Sequence, residues 1–289
     1  MRKVVVTGGS GQLAQAIKHI AKGCNVEVYA PTHAECDITD AKSVHRAIYG
    51  ADIVVNAAAY TNVDGAERNG EEAYRINCLG AAIVARTAAE CGITAIQIST
   101  DYVFGKDSNR HTPYEEDAYT APINRYGATK CEGEAEALRH NAIVIRTSWL
   151  YSPWGKNFCR TILSLARTQS VLRVVDDQRG TPTSALSLAR AIIQIVESGQ
   201  YSSMSGIYHF CDNGEASWYD FAREIVARSG ITTCDVVACS SLEQQREAAR
   251  PRYSRLAIER ISHIEGISIT EWQSALDEVL MIITKQDDI

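Results

Sequence analysis

Long hydrophobic runs and basic clusters are both missing from this sequence of 289 residues. No stretch of about 18 consecutive apolar residues occurs, which argues against a transmembrane helix, and the apolar start at residues 4–6 is too short for a secretory signal peptide. The 29 basic and 35 acidic residues give a formal charge of −6, so nucleic acid and anionic membranes are not expected partners. We therefore expect a soluble, cytoplasmic protein whose ligand can still be a small anion.

Paired cysteines are missing as well. The nine cysteines are scattered and form no Cys-x-x-Cys motif, which is typical of reduced, mostly buried thiols rather than of a disulfide framework or a zinc site. The sequence also has no internal repeat and no low-complexity linker. Its length is generous for one domain, so we expect two lobes around a cleft.

A glycine-rich turn between a predicted strand and a predicted helix is the first motif present. Residues 4–6 are valines and predict a buried strand, and the residues from Gln12 onward predict a helix. The turn follows Gly8-x-x-Gly11-x-x-Ala14, a variant of the dinucleotide-binding fingerprint. Free amides and the helix dipole at such a turn stabilise a pyrophosphate. An ordinary strand-to-helix turn is the alternative.

The predicted second strand, at about residues 26–29, bears on the choice of cofactor. Its end lies beside the adenosine ribose in a dinucleotide site, where NAD-preferring proteins usually place a carboxylate. Here residues 30–33 read Ala-Pro-Thr-His, which weakens a preference for NAD and leaves NADPH, or both cofactors, open. Asp37 and Ile38 are candidates for contacts near the adenine, with a turn or helix-cap role for Asp37 as the equal alternative.

Two further predicted strands deliver small and polar residues to the same edge of the sheet. The third strand ends in Ala57–Tyr60, where small side chains let a flat ligand pass close to the backbone. The fourth, at residues 95–99, leads into Thr100–Tyr102. A long helix is predicted between them over about residues 70–91, and its polar Asn77 is expected to bind neighbouring backbone rather than to act in catalysis.

Tyr126 and Lys130 are four residues apart in a predicted helix, so both side chains project from one face. A nearby ammonium favours the phenolate, so we expect Lys130 to lower the pKa of Tyr126 and make the phenol a usable proton donor. The spacing alone is weak, because a surface tyrosine stacked on a lysine stem shows the same pattern. Thr100 lies one strand-helix unit earlier and can converge with the pair.

The glycine-rich start, Thr100 and Tyr126-x-x-x-Lys130 resemble the extended short-chain dehydrogenase/reductase superfamily. Four longer blocks narrow the resemblance to the dTDP-4-dehydrorhamnose reductases: residues 56–67 (NAAAYTNVDGAE), 99–104 (STDYVF), 146–151 (RTSWLY) and 177–183 (DQRGTPT). The similarity runs from residue 3 to about residue 280. It implies NAD(P)H-dependent reduction of the 4-keto group of dTDP-4-dehydro-6-deoxy-L-mannose to dTDP-L-rhamnose, a precursor of cell-surface polysaccharide.

The resemblance also implies roles for individual residues. Tyr126 matches the proton donor, Lys130 the residue that holds the nicotinamide ribose, and Thr100 the hydroxyl that hydrogen-bonds the keto oxygen. The candidate cofactor-binding residues are Gly8, Gly11, Gln12, Leu13, Asp37, Ile38, Ala57, Ala58, Ala59, Tyr60, Ser99, Tyr126 and Lys130. The candidate substrate-binding residues are Thr100, Asp101, Tyr102, Trp149, Asn157, Gln178 and Arg252. A solvated turn is the equal alternative for the segment around Arg252.

We predict an α/β fold, with a Rossmann-type doubly wound parallel sheet and a smaller α/β substrate-binding domain. The NAD(P)-binding domain is predicted at residues 1–150 and the sugar-nucleotide-binding region at residues 151–289. A segment at about residues 184–210 is expected to pack back onto the first domain. Ser217 is a predicted helix cap, and the aromatic residues at 218–221 are expected in the core rather than in the site.

Other interpretations stay open at this point. A sugar-nucleotide dehydratase or epimerase shares the scaffold, but Tyr102 stands where the dehydratases carry a glutamate after Thr-Asp, and an epimerase keeps tightly bound NAD. A non-catalytic regulatory subunit of methionine adenosyltransferase shares much of the resemblance. Members of the family can form homodimers, some with bound Mg, but no carboxylate cluster in the sequence places a metal, so no metal ligand is predicted.

Overall fold

A parallel β-sheet forms the centre of the computed structural model, which describes residues 1–287; the last two residues of the predicted 151–289 region lie outside it. With strands numbered in chain order over the whole protein, this sheet contains β1 (Arg2–Thr7), β2 (Val26–Tyr29), β3 (Ile53–Asn56), β4 (Thr94–Thr100), β5 (Ile143–Thr147) and β10 (Gly206–His209). They lie in the order β2-β1-β3-β4-β5-β10, and every pairing is parallel.

Helices cover both faces of this sheet. They are α1 (Gln12–Ile20), α2 (Ala41–Ile48), α3 (Val63–Arg68), α4 (Gly70–Tyr74), α5 (Ala81–Glu90), α6 (Arg125–Leu138), α7 (Phe158–Ala166), α8 (Ala185–Ser198), α9 (Trp218–Arg228), α10 (Glu259–Ser262) and α11 (Trp272–Asp287). Because strand side chains alternate, Val4 and Val6 pack in a core with α1 and α8, whereas Val5 packs in a second core with α2 and α5. The predicted doubly wound parallel sheet is confirmed.

The order of the strands reverses at β1. The chain leaves β1 to form β2 on one side and returns to add β3 on the other side. Such a reversal opens a crevice at the carboxyl ends of the strands, where open α/β sheets bind ligands. Gly8 and Ala58 meet there so closely that a Cβ on Gly8 would lie 3.0 Å from the Ala58 Cα. Small residues are therefore required where the two turns touch.

The second half of the chain adds three two-stranded pairs among the described residues. These are β6 (Leu150–Tyr151) with β9 (Thr183–Ser184), β7 (Val171–Val175) with β12 (Asp235–Cys239), and β8 (Arg179–Gly180) with β11 (Ala216–Ser217). Two elements of this half lie with the first half, because α8 packs against α1 and β10 pairs with β5. The division into domains at residue 150 stays a prediction.

The long helix predicted over residues 70–91 is interrupted. A π-helical turn, Arg75–Gly80, lies between α4 and α5. The π-helical turn is wider than an α-helical turn and approaches α6 at Gly133. A Cβ on Gly133 would lie 2.1 Å from the Asn77 carbonyl oxygen, so the contact requires a glycine there. The Asn77 carboxamide accepts from the Tyr60 amide at 2.8 Å and donates to Thr129 Oγ1 at 3.1 Å. Asn77 thus has the structural role that its apolar surroundings predict.

All nine thiols are free, and six of them are buried, while Cys91 is exposed. None of the helices within residues 1–287 combines the length and the apolar character that a membrane span requires.

Candidate active site

A cavity of about 750 Å³ opens at the carboxyl edge of the central sheet. It brings together most of the residues that were predicted from the sequence for the site. Those that line it are Gly8, Gly11, Gln12, Leu13, Asp37, Ile38, Ala57, Ala58, Ala59, Ser99, Thr100, Asp101, Tyr102, Tyr126, Lys130 and Trp149. The parallel topology explains this convergence, because the carboxyl ends of β1, β3 and β4 face one crevice.

Four predicted site residues are not in the lining of this cavity. The Tyr60 backbone is held by Asn77. Asn157 caps α7, since its carboxamide accepts from the Arg160 amide at 3.1 Å and donates to the Ser152 carbonyl at 2.9 Å. Gln178 is buried outside the lining. Arg252 is exposed, and its carbonyl accepts from the amide of the residue after Gln178 at 2.8 Å. The structure therefore does not bring these four side chains to the cavity.

The glycine turn forms a cradle of backbone groups beside the cavity. Gly8 has a φ of 70°, a left-handed conformation that glycine adopts without strain. Within the part of the chain that the structure describes, no side chain caps the N-terminus of α1. Gln12 donates to the Leu150 carbonyl at 3.1 Å, while its buried Oε1 has no partner among the described residues. Free amides at a helix N-terminus and an unpaired polar atom fit the pyrophosphate of a dinucleotide.

Asp37 forms a turn and lines the cavity at the same time. Its carboxylate accepts from the Thr39 amide at 2.9 Å and from the Thr39 hydroxyl at 2.8 Å. The hydrogen bond from the Thr39 amide lowers the pKa of the Asp37 carboxyl. Asp37 therefore has the turn role that the sequence suggested, and it also lines the cavity. Its contact with an adenine stays a prediction.

Helix α6 carries Tyr126 and Lys130 to the end of β4. Asn124 caps the helix by accepting from the Gly127 amide at 2.7 Å. Gly127 lies against the turn after β4 so tightly that a Cβ on it would be 2.1 Å from the Tyr102 carbonyl oxygen. Tyr126 thus lines the same cavity as Thr100, and the Thr100 hydroxyl acts on the pKa of the phenol. Lys130 reaches the same strand and donates to the Ile98 carbonyl at 2.7 Å.

The charge states differ from those expected from the Tyr-Lys spacing. Burial raises the pKa of Tyr126 to about 12, and the hydrogen bond with Thr100 only partly opposes this shift. Burial lowers the pKa of Lys130 to about 8, with Glu134 opposing the shift. The expectation that Lys130 lowers the pKa of Tyr126 is therefore wrong for this structure. Desolvation is the largest cause of the Tyr126 shift, and the Lys130 ammonium donates to the Ile98 carbonyl.

Asp101 lies directly behind this pair. Thr100 Oγ1 donates to Asp101 Oδ1 at 3.1 Å, and Ser254 Oγ donates to Asp101 Oδ2 at 2.6 Å. The side chain is 1% exposed, and burial raises the pKa of its carboxyl to about 7. Ser99 also lines the cavity, but its hydroxyl donates to Glu134 at 2.5 Å.

The cavity lining also contains residues that were not proposed from the sequence, and Trp218 and Thr147 are two of them. Trp218, expected in the core, stacks on Trp149 with ring centroids 3.6 Å apart and planes 7° apart. Trp149 has a φ of 46°, and a Cβ on Gly180 would lie 2.8 Å from its ring. Thr147 pairs in register with Thr100, and its buried hydroxyl has no partner among the described residues. A polar residue at the end of a parallel strand was a usable signal for Thr147, whereas nothing local marked Trp218.

The segment at residues 246–254 crosses this edge of the site. Arg250 forms two hydrogen bonds with the Asp64 carboxylate, at 2.6 and 2.8 Å, and Asn124 donates to the Ala249 carbonyl at 2.8 Å. The bonds with Arg250 lower the pKa of Asp64 to about 2. Arg250 is thus paired within the protein, and the segment holds Ser254 against Asp101. Among the described residues, no group of His, Cys, Asp and Glu is arranged to hold a metal ion.

Comparison with known proteins shows the family to which the chain belongs. The model of the RmlD substrate binding domain matches residues 1–284. The spore coat polysaccharide biosynthesis protein SpsK of Bacillus subtilis is 40% identical over 285 residues, which are 97% of each chain. A crystal structure of a dTDP-4-dehydrorhamnose reductase from Clostridium acetobutylicum superposes with a TM-score of 0.91 at 37% identity, covering 98% of this chain and 99% of that one. The Bacillus anthracis dTDP-4-dehydrorhamnose reductase in complex with NADP has a TM-score of 0.90 at 31% identity, with 98% and 99% coverage.

Proposed function

Because the chain belongs to the family that the RmlD substrate binding domain defines, we propose that it is an NAD(P)H-dependent oxidoreductase that converts dTDP-4-dehydro-6-deoxy-L-mannose to dTDP-L-rhamnose. The observation that carries the proposal is the meeting of Thr100, Tyr126 and Lys130 in the cavity that also receives the glycine turn. Neither the turn nor the Tyr-Lys spacing alone distinguishes a reductase from an ordinary strand-helix unit. Their convergence supports hydride transfer next to a proton donor.

The proton side of the reaction follows from the charge states. NAD(P)H, when bound, supplies the hydride that adds to the carbonyl carbon of the sugar. With a pKa of about 12, Tyr126 holds its proton at neutral pH and donates it to the carbonyl oxygen as negative charge develops there. The Thr100 hydroxyl supplies a second donor to that oxygen. One hydride and one proton then convert the ketone into the alcohol, and solvent restores the proton of the phenol.

The cradle at the glycine turn supports the cofactor half of the proposal. The uncapped amides of α1 and the unpaired Gln12 Oε1 support a pyrophosphate site, and we propose that Lys130, which lines the same cavity, holds the nicotinamide ribose. We propose a preference for NADPH, because residues 30–34 at the end of β2 contain no carboxylate to bind the ribose hydroxyls of NAD. A kcat/KM for NADH above that for NADPH contradicts this preference.

The stacked Trp149 and Trp218 support the substrate half. Together they form a flat apolar wall of the cavity, and sugar and nucleotide rings pack on such surfaces. The contacts of Trp149 and Tyr102 with the substrate remain part of the proposal.

The test follows the absorbance of NADPH with dTDP-4-dehydro-6-deoxy-L-mannose as the substrate. We expect turnover in the wild type, and a loss of kcat of about 10²- to 10⁴-fold in Tyr126→Phe, since proton transfer is worth that much. Cofactor binding, followed by fluorescence of NADPH, is expected to survive. Tyr114→Phe is the matched control, because Tyr114 is buried, its hydroxyl has no partner among the described residues, and it lies outside the cavity lining.

Two results oppose the proposal. Unchanged turnover in Tyr126→Phe removes the proton donor from the mechanism. A purified protein that carries stoichiometric NAD and consumes no NADPH with this substrate indicates an epimerase instead.

A further inference from the structure

A chain of hydroxyl and carboxyl groups leads from residue 254 to the Thr100 hydroxyl, which lines the cavity together with the proposed proton donor, Tyr126. Ser254 donates to one carboxyl oxygen of Asp101, and Thr100 donates to the other. A contact between Asp101 and the substrate, which the family resemblance implies, stays a prediction. Each of its carboxyl oxygens already has a hydrogen-bond partner inside the protein, and the residue is 1% exposed. Its influence on the reaction therefore passes through the Thr100 hydroxyl.

The Thr100 hydroxyl has a single proton but more than one hydrogen-bonding neighbour. A hydroxyl offers one proton and two acceptor lone pairs. The Tyr102 amide donates to Thr100 Oγ1 at 3.2 Å and occupies one lone pair. Asp101 Oδ1 lies at 3.1 Å from Thr100 Oγ1 and takes either the single proton or the remaining lone pair. The protonation state of Asp101 thus decides whether the Thr100 hydroxyl proton points toward Asp101 or away from it.

The two protonation states of Asp101 require opposite orientations of the Thr100 hydroxyl. A carboxylate only accepts, so Thr100 must give it the proton, as in the hydrogen bond from Thr100 Oγ1 to Asp101 Oδ1. A carboxyl group with its proton on Oδ1 donates to Thr100 and leaves the Thr100 proton free. Ser254 Oγ donates to Oδ2 at 2.6 Å, so Oδ2 is an acceptor in both protonation states. Ser254 therefore directs the proton of Asp101 to the oxygen that faces Thr100.

We propose that Asp101 is a positioning residue whose protonated form releases the Thr100 hydroxyl proton toward the carbonyl oxygen of the substrate, and whose carboxylate form withdraws it. The inference rests on the proposed reductase function. It assigns Asp101 a role in directing a donor, not a contact with the sugar.

The surroundings of Asp101 place the titration of its carboxyl group near neutral pH. Burial raises the pKa of its carboxyl to about 7, with the bonds from Ser254 and Thr100 opposing the shift. The titratable groups that face it are the phenols of Tyr102 and Tyr126 and the thiol of Cys211, and burial raises the pKa of each. All three stay neutral near pH 7. Asp101 is therefore protonated below about pH 7, and kcat is expected to fall as the pH rises through that value.

The first experiment compares kcat at pH 6 and pH 8 in the wild type and in Asp101→Asn. Asparagine can donate from its amide nitrogen to Thr100 and accept from Ser254, so it imitates the protonated carboxyl at every pH. A group with a pKa of about 7 is roughly ten-elevenths protonated at pH 6 and one-eleventh at pH 8. The ratio of kcat at pH 8 to kcat at pH 6 is expected to be about tenfold higher in the variant. The titration of Lys130 is common to both proteins and cancels in this comparison.

Ser254→Ala separates positioning from a merely structural role. Loss of this donor destabilises the carboxylate, so the falling limb of the kcat profile is expected to move to higher pH. A structural role lowers kcat at every pH and leaves the limb in place. An unchanged pH 8 to pH 6 ratio in Asp101→Asn overturns the inference, as does a variant that binds NADPH but is inactive at both pH values.

An infrared titration tests the inference independently of turnover. The difference between wild type and Asp101→Asn is expected to show a carboxyl band that disappears as the pH rises through about 7, and Thr100→Val is expected to shift that midpoint upward. If the wild type does not turn over the dTDP-sugar, the proposed function fails, yet this titration still decides the coupling. Absence of a titrating carboxyl, or a midpoint unmoved in Thr100→Val, overturns it.

Discussion

Replacing Gly127 by alanine tests how closely α6 must approach the end of β4 for the Tyr126 and Thr100 hydroxyls to meet. The added Cβ would lie 2.1 Å from the Tyr102 carbonyl oxygen and 3.1 Å from the Pro122 side chain. The first of these neighbours is backbone, in a buried turn that cannot rotate away. The helix and the turn must therefore separate.

The size of the effect follows from this distance. An ordinary contact between a carbon and a carbonyl oxygen is about 3.3 Å, so the elements must move apart by about 1 Å. A displacement of that size between reacting groups costs about 100-fold in rate. Overpacking costs about 1–3 kcal/mol of stability, which the better helix propensity of alanine offsets by about 1 kcal/mol. We expect kcat/KM to fall about 100-fold while the free energy of unfolding changes by no more than about 2 kcal/mol.

Steady-state kinetics and urea unfolding measure the two quantities. Gly70→Ala, at the start of α4, is the matched control, because its added Cβ would meet only the flexible Arg125 side chain, at 3.3 Å. This control is expected to keep its activity. A Gly127→Ala enzyme with wild-type kcat/KM refutes the argument that the close approach positions the two hydroxyls.

Two further predictions concern the charge of Lys130 and the tryptophan stack. Between about pH 8 and pH 10 Lys130 keeps its proton in the unfolded chain and loses it in the folded chain. The free energy of unfolding is therefore expected to rise with pH in this range, by up to about 2 kcal/mol. Urea unfolding of Lys130→Met is expected to lack this rise, and an equal rise in the variant contradicts the burial argument. Trp218→Ala removes the support of Trp149, so KM for the sugar nucleotide is expected to increase roughly tenfold with little change in the Kd of NADPH; an unchanged KM speaks against the stacked wall.

Short-range patterns were sufficient to predict most elements of the first half. Strands buried on both faces consist of continuous apolar residues, and residues 4–6 and 53–55 show such runs. Caps are equally local: Ser217, predicted as a helix cap, forms a capping box with Asp220 at the start of α9. The π-helical turn within residues 70–91 was not predictable in this way, because it depends on where Gly133 of another helix lies.

The site was predictable where it follows from strand ends. Parallel strands bring their carboxyl ends to one edge, so Ala57 and Thr100 share a cavity by topology. Asn157, Gln178 and Arg252 lie outside the cavity lining, and their contacts with the substrate stay a prediction, because a block that resembles a family does not reveal which way its side chains point. Trp218 was missed because its stacking partner lies far away in the sequence, and no local pattern records that contact.

The sequence by itself determined the α/β fold, the glycine turn and the pairing of Tyr126 with Lys130 on one helix face, since these depend on residue type and short spacing. Only the tertiary structure decided the charge states within that pair. Spacing suggests that a cation lowers the pKa of a phenol, but burial raises the pKa of Tyr126 and lowers that of Lys130. Desolvation depends on every element that packs around the site, and no short stretch of sequence contains it.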